Sequence, residues 1–239
     1  MDTTEKGCFR RFLRPLLLFD GPDCTTPATE ADQGRTCCLE EEVTHLVERI
    51  RLVEDGYVCF IRLIDLQEHT EVVDAPEAAP RLSSQEIRDR TTAVIEKARD
   101  LHAQENVYRW GGTIGPDVDC SGLVQLCYRS AGIWLPRDAF QQAEFTERVP
   151  LESAFQGDLL FFGKEGGIDH VGIYLGEKNG IPEYIHSSGS EHGNNGIGIN
   201  LLTATEGMVA LHYYKKFLFC ARVVRSVQPN DRFAFRSPA

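Results

Sequence analysis

The chain has 239 residues and a mass of 26.8 kDa, enough for one large domain or two small ones. Hydrophobic residues make up 42% and charged residues 26%, which argues against a collagen-like or wholly disordered chain, and a formal charge of −11 argues against a nucleic-acid binder, whose phosphate contacts need a basic surface. The acid is uneven, with 8 Lys and Arg against 17 Asp and Glu in residues 1–80 and 17 against 19 in residues 81–239, a step that points to two modules.

Arg10, Arg11 and Arg14 precede Leu16–Phe19 in the manner of a signal peptide. The apolar stretch stops after four residues at Asp20-Gly21-Pro22-Asp23, where a signal needs roughly 7–15. A leaderless start and a cytoplasmic location are therefore expected, with the cell envelope, reached by an unrecognised export route, as the alternative. No apolar run approaches the ~20 residues that span a bilayer, so no integral membrane segment is expected. Eight cysteines without a Cys-x-x-Cys pair read as small buried hydrophobes in a reducing compartment rather than as zinc ligands or a disulfide framework.

Residues 20–35 are polar and read as a loop. Residues 36–66 read as short strands joined by tight turns, with Glu54-Asp55-Gly56 as an acidic turn and no helix. The stretch Asp55-Gly56-Tyr57-Val58-Cys59-Phe60-Ile61-Arg62-Leu63-Ile64-Asp65-Leu66 resembles the last hairpin of a bacterial SH3-like barrel, with Phe60 where such hairpins often carry Trp. Asp74-Ala75-Pro76-Glu77-Ala78-Ala79-Pro80 has linker composition and coincides with the charge step. Ser83 and Glu86 have capping-box spacing, and apolar residues at Ile87, Val94, Ile95, Ala98 and Leu101 follow one helix face. A second helix is expected over residues 120–131. Strands are expected at Asp158–Phe162, His170–Leu175, Glu183–Ser187, Ile197–Leu202, Met208–Tyr213 and Phe217–Val227. The fold class is α+β: a small all-β SH3-like barrel with its linker over 1–80, helices packed on an antiparallel sheet over 81–228, and a mobile tail over 229–239.

Cys120 is the candidate nucleophile. It sits in the first turn of the expected helix, where unpaired N–H groups favour an anion, and such a site with a nearby His lowers a thiol pKa from about 8.5 into the ~3.5–7.5 range. Gly122 allows close approach of another backbone or a substrate. His170 opens one strand and His186 closes the next, with an Asn-Gly turn signal between them. A hairpin folded about Lys178 makes them direct cross-strand neighbours on one face, the arrangement a general base and its orienting partner need. Two facing histidines could instead hold a metal, but no third ligand stands near in sequence, so neither metal nor cofactor is expected. Trp110 reads as a core residue, Asp119 as a helix N-cap and Arg137 as an ion-pair partner.

Tyr108-Arg109-Trp110-Gly111-Gly112, Asp119-Cys120-Ser121-Gly122-Leu123-Val124, Gly157-Asp158-Leu159-Leu160-Phe161-Phe162 and His170-Val171-Gly172-Ile173-Tyr174-Leu175-Gly176 occur in the order seen in NlpC-type peptidoglycan endopeptidases, and Leu135-Pro136-Arg137 also matches. Over roughly residues 85–225 the chain resembles these papain-like cysteine peptidases of bacteria, in which a preceding SH3-like barrel is common. The resemblance implies hydrolysis of the bond between γ-D-glutamate and a diamino acid, meso-diaminopimelate first with lysine as the alternative, in stem peptides with a free N-terminal L-alanine. The partners it implies are peptidoglycan peptides or peptidoglycan itself. By position it implies Cys120 as nucleophile, His170 as base, His186 as the group that orients the base, and Tyr108, Asp119 and Ser121 as substrate-bordering residues. The alternatives are an exported autolysin cutting intact peptidoglycan, a papain-like acyltransferase or amidase, and a non-catalytic wall-binding protein.

Overall fold

The computed structural model describes residues 9–74, 81–164, 166–228 and 231. Among them the chain forms two compact units, one from residues within Met1–Pro80 and Val227–Ala239, the other from Arg81–Ser226.

The first unit is built on strands β1 (Phe9–Phe12), β2 (Leu16–Phe19), β3 (Pro27–Ala31), β4 (Thr36–Thr44), β5 (Val47–Leu52) and β6 (Val58–Arg62), followed by helix α1 (Leu63–His69) and strand β7 (Thr70–Val73). All pairings are antiparallel, in the order β3-β2-β6-β5-β4-β1-β7. Alternation drives this: Cys59 and Ile61 of β6 are fully buried while Val58 and Phe60 are partly exposed, and Ile50 and Leu52 of β5 join the same core. Arg35, buried, pairs with Asp55 at 2.9 Å and Glu54 at 3.3 Å, and Glu54 also accepts the Thr36 N–H at 2.6 Å, pinning the β5–β6 turn to the start of β4. Two expectations are corrected here. Residues 27–31 form a strand within the stretch read as loop, and Leu63–His69 form a helix where a hairpin arm was expected. The basic–apolar start that mimics a signal is the pair of strands β1 and β2. Of the expected linker, residues 75–80 lie outside the described residues, as does the expected tail apart from Asp231.

The second unit opens with α2 (Ser84–Asp89), capped by the reciprocal Ser83–Glu86 box, and α3 (Thr91–His102). The single expected helix is thus two, broken at Arg90. Then come α4 (Cys120–Ser130), α5 (Ala139–Phe145), β8 (Glu147–Val149), β9 (Leu159–Lys164), β10 (Gly167–Lys178), β11 (Ile181–Ser188), β12 (Gly196–Leu201), α6 (Gly207–Lys216) and β13 (Phe217–Arg222). The strands make one antiparallel sheet in the order β12-β11-β10-β9-β13-β8, with α4 packed against β10 and β11. This is the helix-on-antiparallel-sheet architecture expected. Met208–Tyr213 is the exception: it lies in helix α6, not a strand, because Ala210 and Tyr213 repeat at helical spacing and are the residues that α6 buries. Phe162 of β9 centres the core beneath the site, with ring centroids 5.3 Å from Tyr184, 5.4 Å from Tyr213 and 5.6 Å from His170.

Candidate active site

Cys120 is the first residue of α4 and is 8% exposed. Asp119 is its N-cap, accepting the Gly122 N–H at 2.7 Å. The same carboxylate accepts the Gly111 N–H at 2.9 Å and a two-pronged contact from Arg137, Nη1 at 3.1 Å and Nη2 at 2.5 Å. Ser121 joins in, donating to Asp119 at 3.3 Å and accepting from Arg137 Nη1 at 2.9 Å. Asp119, Ser121 and Arg137 are all buried. A bidentate guanidinium is what makes a carboxylate tolerable there. Gly122 is required by a backbone neighbour, since a Cβ there would strike the Gly112 carbonyl. The loop before α4 is thereby clamped onto the helix start, carrying Tyr108 into electrostatic reach of the Cys120 thiol. Trp110, expected in the core, is 65% exposed on that loop. The clamp uses the Gly111 backbone rather than the neighbouring indole.

His170 lies on β10 and His186 on β11. The hairpin turns at Asn179-Gly180, both at positive φ as a tight two-residue turn requires, and Lys178 pairs with Ile181. That register alone would put the two histidines on opposite faces. A bulge between Tyr174 and Gly176 shifts the register by one, so that Tyr174 pairs with Tyr184 and Ile173 with Ile185. Continued one step further, it sets Gly172 opposite His186, with His170 one diagonal step away. The expected direct pairing about Lys178 is therefore corrected by two residues, and the shared face survives because the shift is even. Gly172 leaves the room: a Cβ there would lie 2.9 Å from Tyr184 Cδ2 and 3.2 Å from His186 Cβ. The rings meet with His170 Nε2 2.7 Å from His186 Nδ1, and His186 Nε2 is 2.9 Å from Asn200 Oδ1 on β12. At 2.7 Å the two facing histidine nitrogens bond each other and leave no room for an ion between them.

The thiol of Cys120 lies against the backbone N–H of Val171, the residue after His170. Burial, reinforced by Asp119, pushes the thiol up to about 12, against the N–H groups of Val171 and Ser121 that pull it down. Burial thus works against the lowering expected at a helix start. Burial also lowers His186 to about 4 and holds His170 well below the usual imidazole range, where His186, Lys216 and His212 add repulsion. Burial therefore favours the neutral form of the thiol and of both imidazoles.

Sequence reading missed two neighbours. Tyr213 of α6 packs tilted against His170 (4.4 Å between centroids, 31°), meets His186 edge-on at 4.7 Å and hydrogen-bonds Ser188. Its signal was the helical spacing of Ala210 and Tyr213, read as a strand. Asn200 was visible as a polar residue alternating with Ile197, Ile199 and Leu201, an unusual choice for a strand interior. His212, given no setting by the sequence, stacks on His192 at 4.5 Å.

The model of the NlpC/P60 family matches residues 105–222. The murein DD-endopeptidase MepS/murein LD-carboxypeptidase of Escherichia coli is 31% identical over 131 residues, which are 53% of this chain and 68% of that protein. The chain belongs to the NlpC/P60 family. The γ-D-glutamyl-L-lysine dipeptidyl-peptidase of Bacillus subtilis is 40% identical over 102 residues, 41% of this chain and 31% of that enzyme. The chain thus spans less than a third of the length of that relative. The peptidoglycan hydrolase RipB of Mycobacterium tuberculosis superposes with a TM-score of 0.46 at 24% identity, over 60% of this chain and 69% of the other.

Proposed function

We propose that the second unit is a thiol peptidase that hydrolyses the bond between γ-D-glutamate and a diamino acid, meso-diaminopimelate, in peptidoglycan stem peptides with a free N-terminal L-alanine, in a muropeptide-recycling role. What supports this reading is His186 bonded to His170 at 2.7 Å, with Cys120 at a helix start and its thiol against the backbone N–H of Val171, the residue after His170. Family membership supports the substrate class, and the name of the Bacillus subtilis relative supports release of a dipeptide from a free end.

In this reading the resting pair is a neutral thiol and a neutral imidazole, so proton transfer accompanies attack. His170 takes the Cys120 proton as Sγ bonds to the γ-carbonyl carbon of D-glutamate. The oxyanion is held by the Cys120 N–H, one of the unpaired donors of the helix's first turn, and by the Tyr108 hydroxyl. His170 then passes its proton to the leaving amine, and a water deprotonated at His170 cleaves the thioester and restores the thiol. His186 orients the base. Asp119 and Ser121 border the peptide and, with Arg137, hold Tyr108's loop on the helix start.

The test is digestion of L-Ala-γ-D-Glu-diaminopimelate peptides, free and N-acetylated, followed by mass spectrometry. Release of L-Ala-γ-D-Glu from the free peptide alone is the expected result. Equal cleavage of both would contradict the free-end preference and indicate wall remodelling, and cleavage of neither would contradict the peptidase reading.

A further inference from the structure

The relay of imidazoles has a direction, and nothing in the two rings themselves sets it. A neutral imidazole carries one proton, so His170 Nε2 and His186 Nδ1, 2.7 Å apart, share a single hydrogen that belongs to one or the other. If His186 holds its proton on Nε2, its Nδ1 accepts, His170 is protonated on Nε2, and His170 Nδ1 is left as a bare base. If His186 holds its proton on Nδ1, the order reverses: His170 Nε2 accepts, its own proton sits on Nδ1, and it has no lone pair free for a thiol proton. The choice falls to whatever faces His186 Nε2, which is the Asn200 side chain at 2.9 Å.

An asparagine can present either its carbonyl or its amino group, and the two ends select opposite relays. In the structure the carbonyl end is the one turned toward His186, and the same Asn200 Oδ1 also accepts from Asn194 Nδ2 at 2.9 Å, so one oxygen serves both donors. Asn194 is itself anchored: its backbone N–H donates to Ser188 Oγ at 2.9 Å, the residue whose side chain also bonds Tyr213. Its amide lies over Gly198, where any Cβ would collide with it. Gly198 and Asn200 share one face of β12, and Gly198 pairs with His186 across the sheet.

We infer that Asn200 and Asn194 are positioning residues that lock the tautomers of both histidines, Asn200 by accepting the His186 Nε2 proton and Asn194 by fixing which end of Asn200 faces the ring. Neither touches the reacting atoms. The inference rests on the thiol-hydrolase reading for its kinetic consequences, while the tautomers themselves do not depend on that reading.

The experiment uses the full chain with ring-¹⁵N histidine. Two-bond ¹H–¹⁵N spectra at neutral pH are expected to show His170 and His186 both protonated on Nε2, and in Asn194→Ala a second population with the proton on Nδ1. A wild-type His170 protonated on Nδ1 would overturn the inference even if the protein is a peptidase. Loss of hydrolysis in no variant, or hydrolysis untouched by Cys120→Ala, would instead count against the functional reading while the spectra still judge this one. In kinetics, Asn200→Ala is expected to lower kcat about tenfold or more with KM unchanged. Asn200→Asp, which has no amino end to turn the wrong way, is expected to restore most of that rate. Its carboxylate favours the charged imidazole, so the acid limb of the pH profile is expected to move upward. Tyr184, Tyr213, His212 and Lys216, the titratable groups facing the pair, and Asp169, which is bonded to Lys216, are common to both variants. Asn194→Ala is expected to slow the wild-type background but not the Asn200→Asp background. If Asn200→Asp is as slow as Asn200→Ala, or Asn194→Ala acts equally in both backgrounds, the inference fails.

Discussion

Asp119 is buried with two backbone N–H groups and a bidentate Arg137 around its carboxylate, and the cost of breaking that set falls on the charge left behind. Arg137→Met is expected to lower unfolding free energy by about 3–5 kcal/mol, read by urea denaturation, because it leaves an uncompensated buried charge. Arg137→Lys is expected to recover little, since an ammonium cannot make the two-pronged contact. The imidazoles give a second expectation. A base must be neutral to act, and His170 is held well below 6.5, so kcat/KM is expected to stay level as pH falls through 6.5 and to drop only beneath it. The Cys120 thiol, pushed up to about 12, is expected to be alkylated by iodoacetamide at a rate still climbing above pH 9. A plateau near pH 7 would show a preformed thiolate instead.

At the scale of elements, the β10–β11 hairpin carries the base and its partner, and two local features set its geometry: the bulge at Tyr174/Gly176 and the absence of a side chain at Gly172. Gly172→Ala is expected to push on Tyr184 and His186 and lower kcat about tenfold or more, with the helical and sheet content by circular dichroism unchanged. The sequence made much of this unit legible. The Ser83–Glu86 capping box, the start of α4 at Cys120 and strands β9 to β13 rest on local signals, and local signals read well. The bulge left no such signal, so the hairpin register was off by two while the shared face was right. Met208–Tyr213 misled because a short apolar run fits strand and helix alike, and only packing under His170 decides for α6. Trp110 misled because an aromatic beside glycines was weighed by residue type, whereas its backbone neighbours decide which way it points. Asn200 and Tyr213 reach the site only through sheet pairing and helix packing, which no spacing in the chain displays.

Across the whole molecule, burial of neutral histidines ties stability to pH. Burial lowers His186 to about 4 in the folded chain, against about 6.5 when unfolded. Between those values the unfolded chain binds a proton that the folded one does not, so stability is expected to fall as pH drops from 7 towards 4. The drop from this residue is at most about 3 kcal/mol, and a Tm series across that range checks it. His186→Gln is expected to flatten part of the slope.

The measurement that reaches furthest is intact-protein mass spectrometry of acid-quenched turnover on L-Ala-γ-D-Glu-diaminopimelate, with wild-type protein and Cys120→Ala. A dipeptidyl adduct mapped to Cys120 in the wild type, absent together with all hydrolysis in Cys120→Ala, is the result that a Cys120 nucleophile requires. Hydrolysis that persists in Cys120→Ala would contradict it.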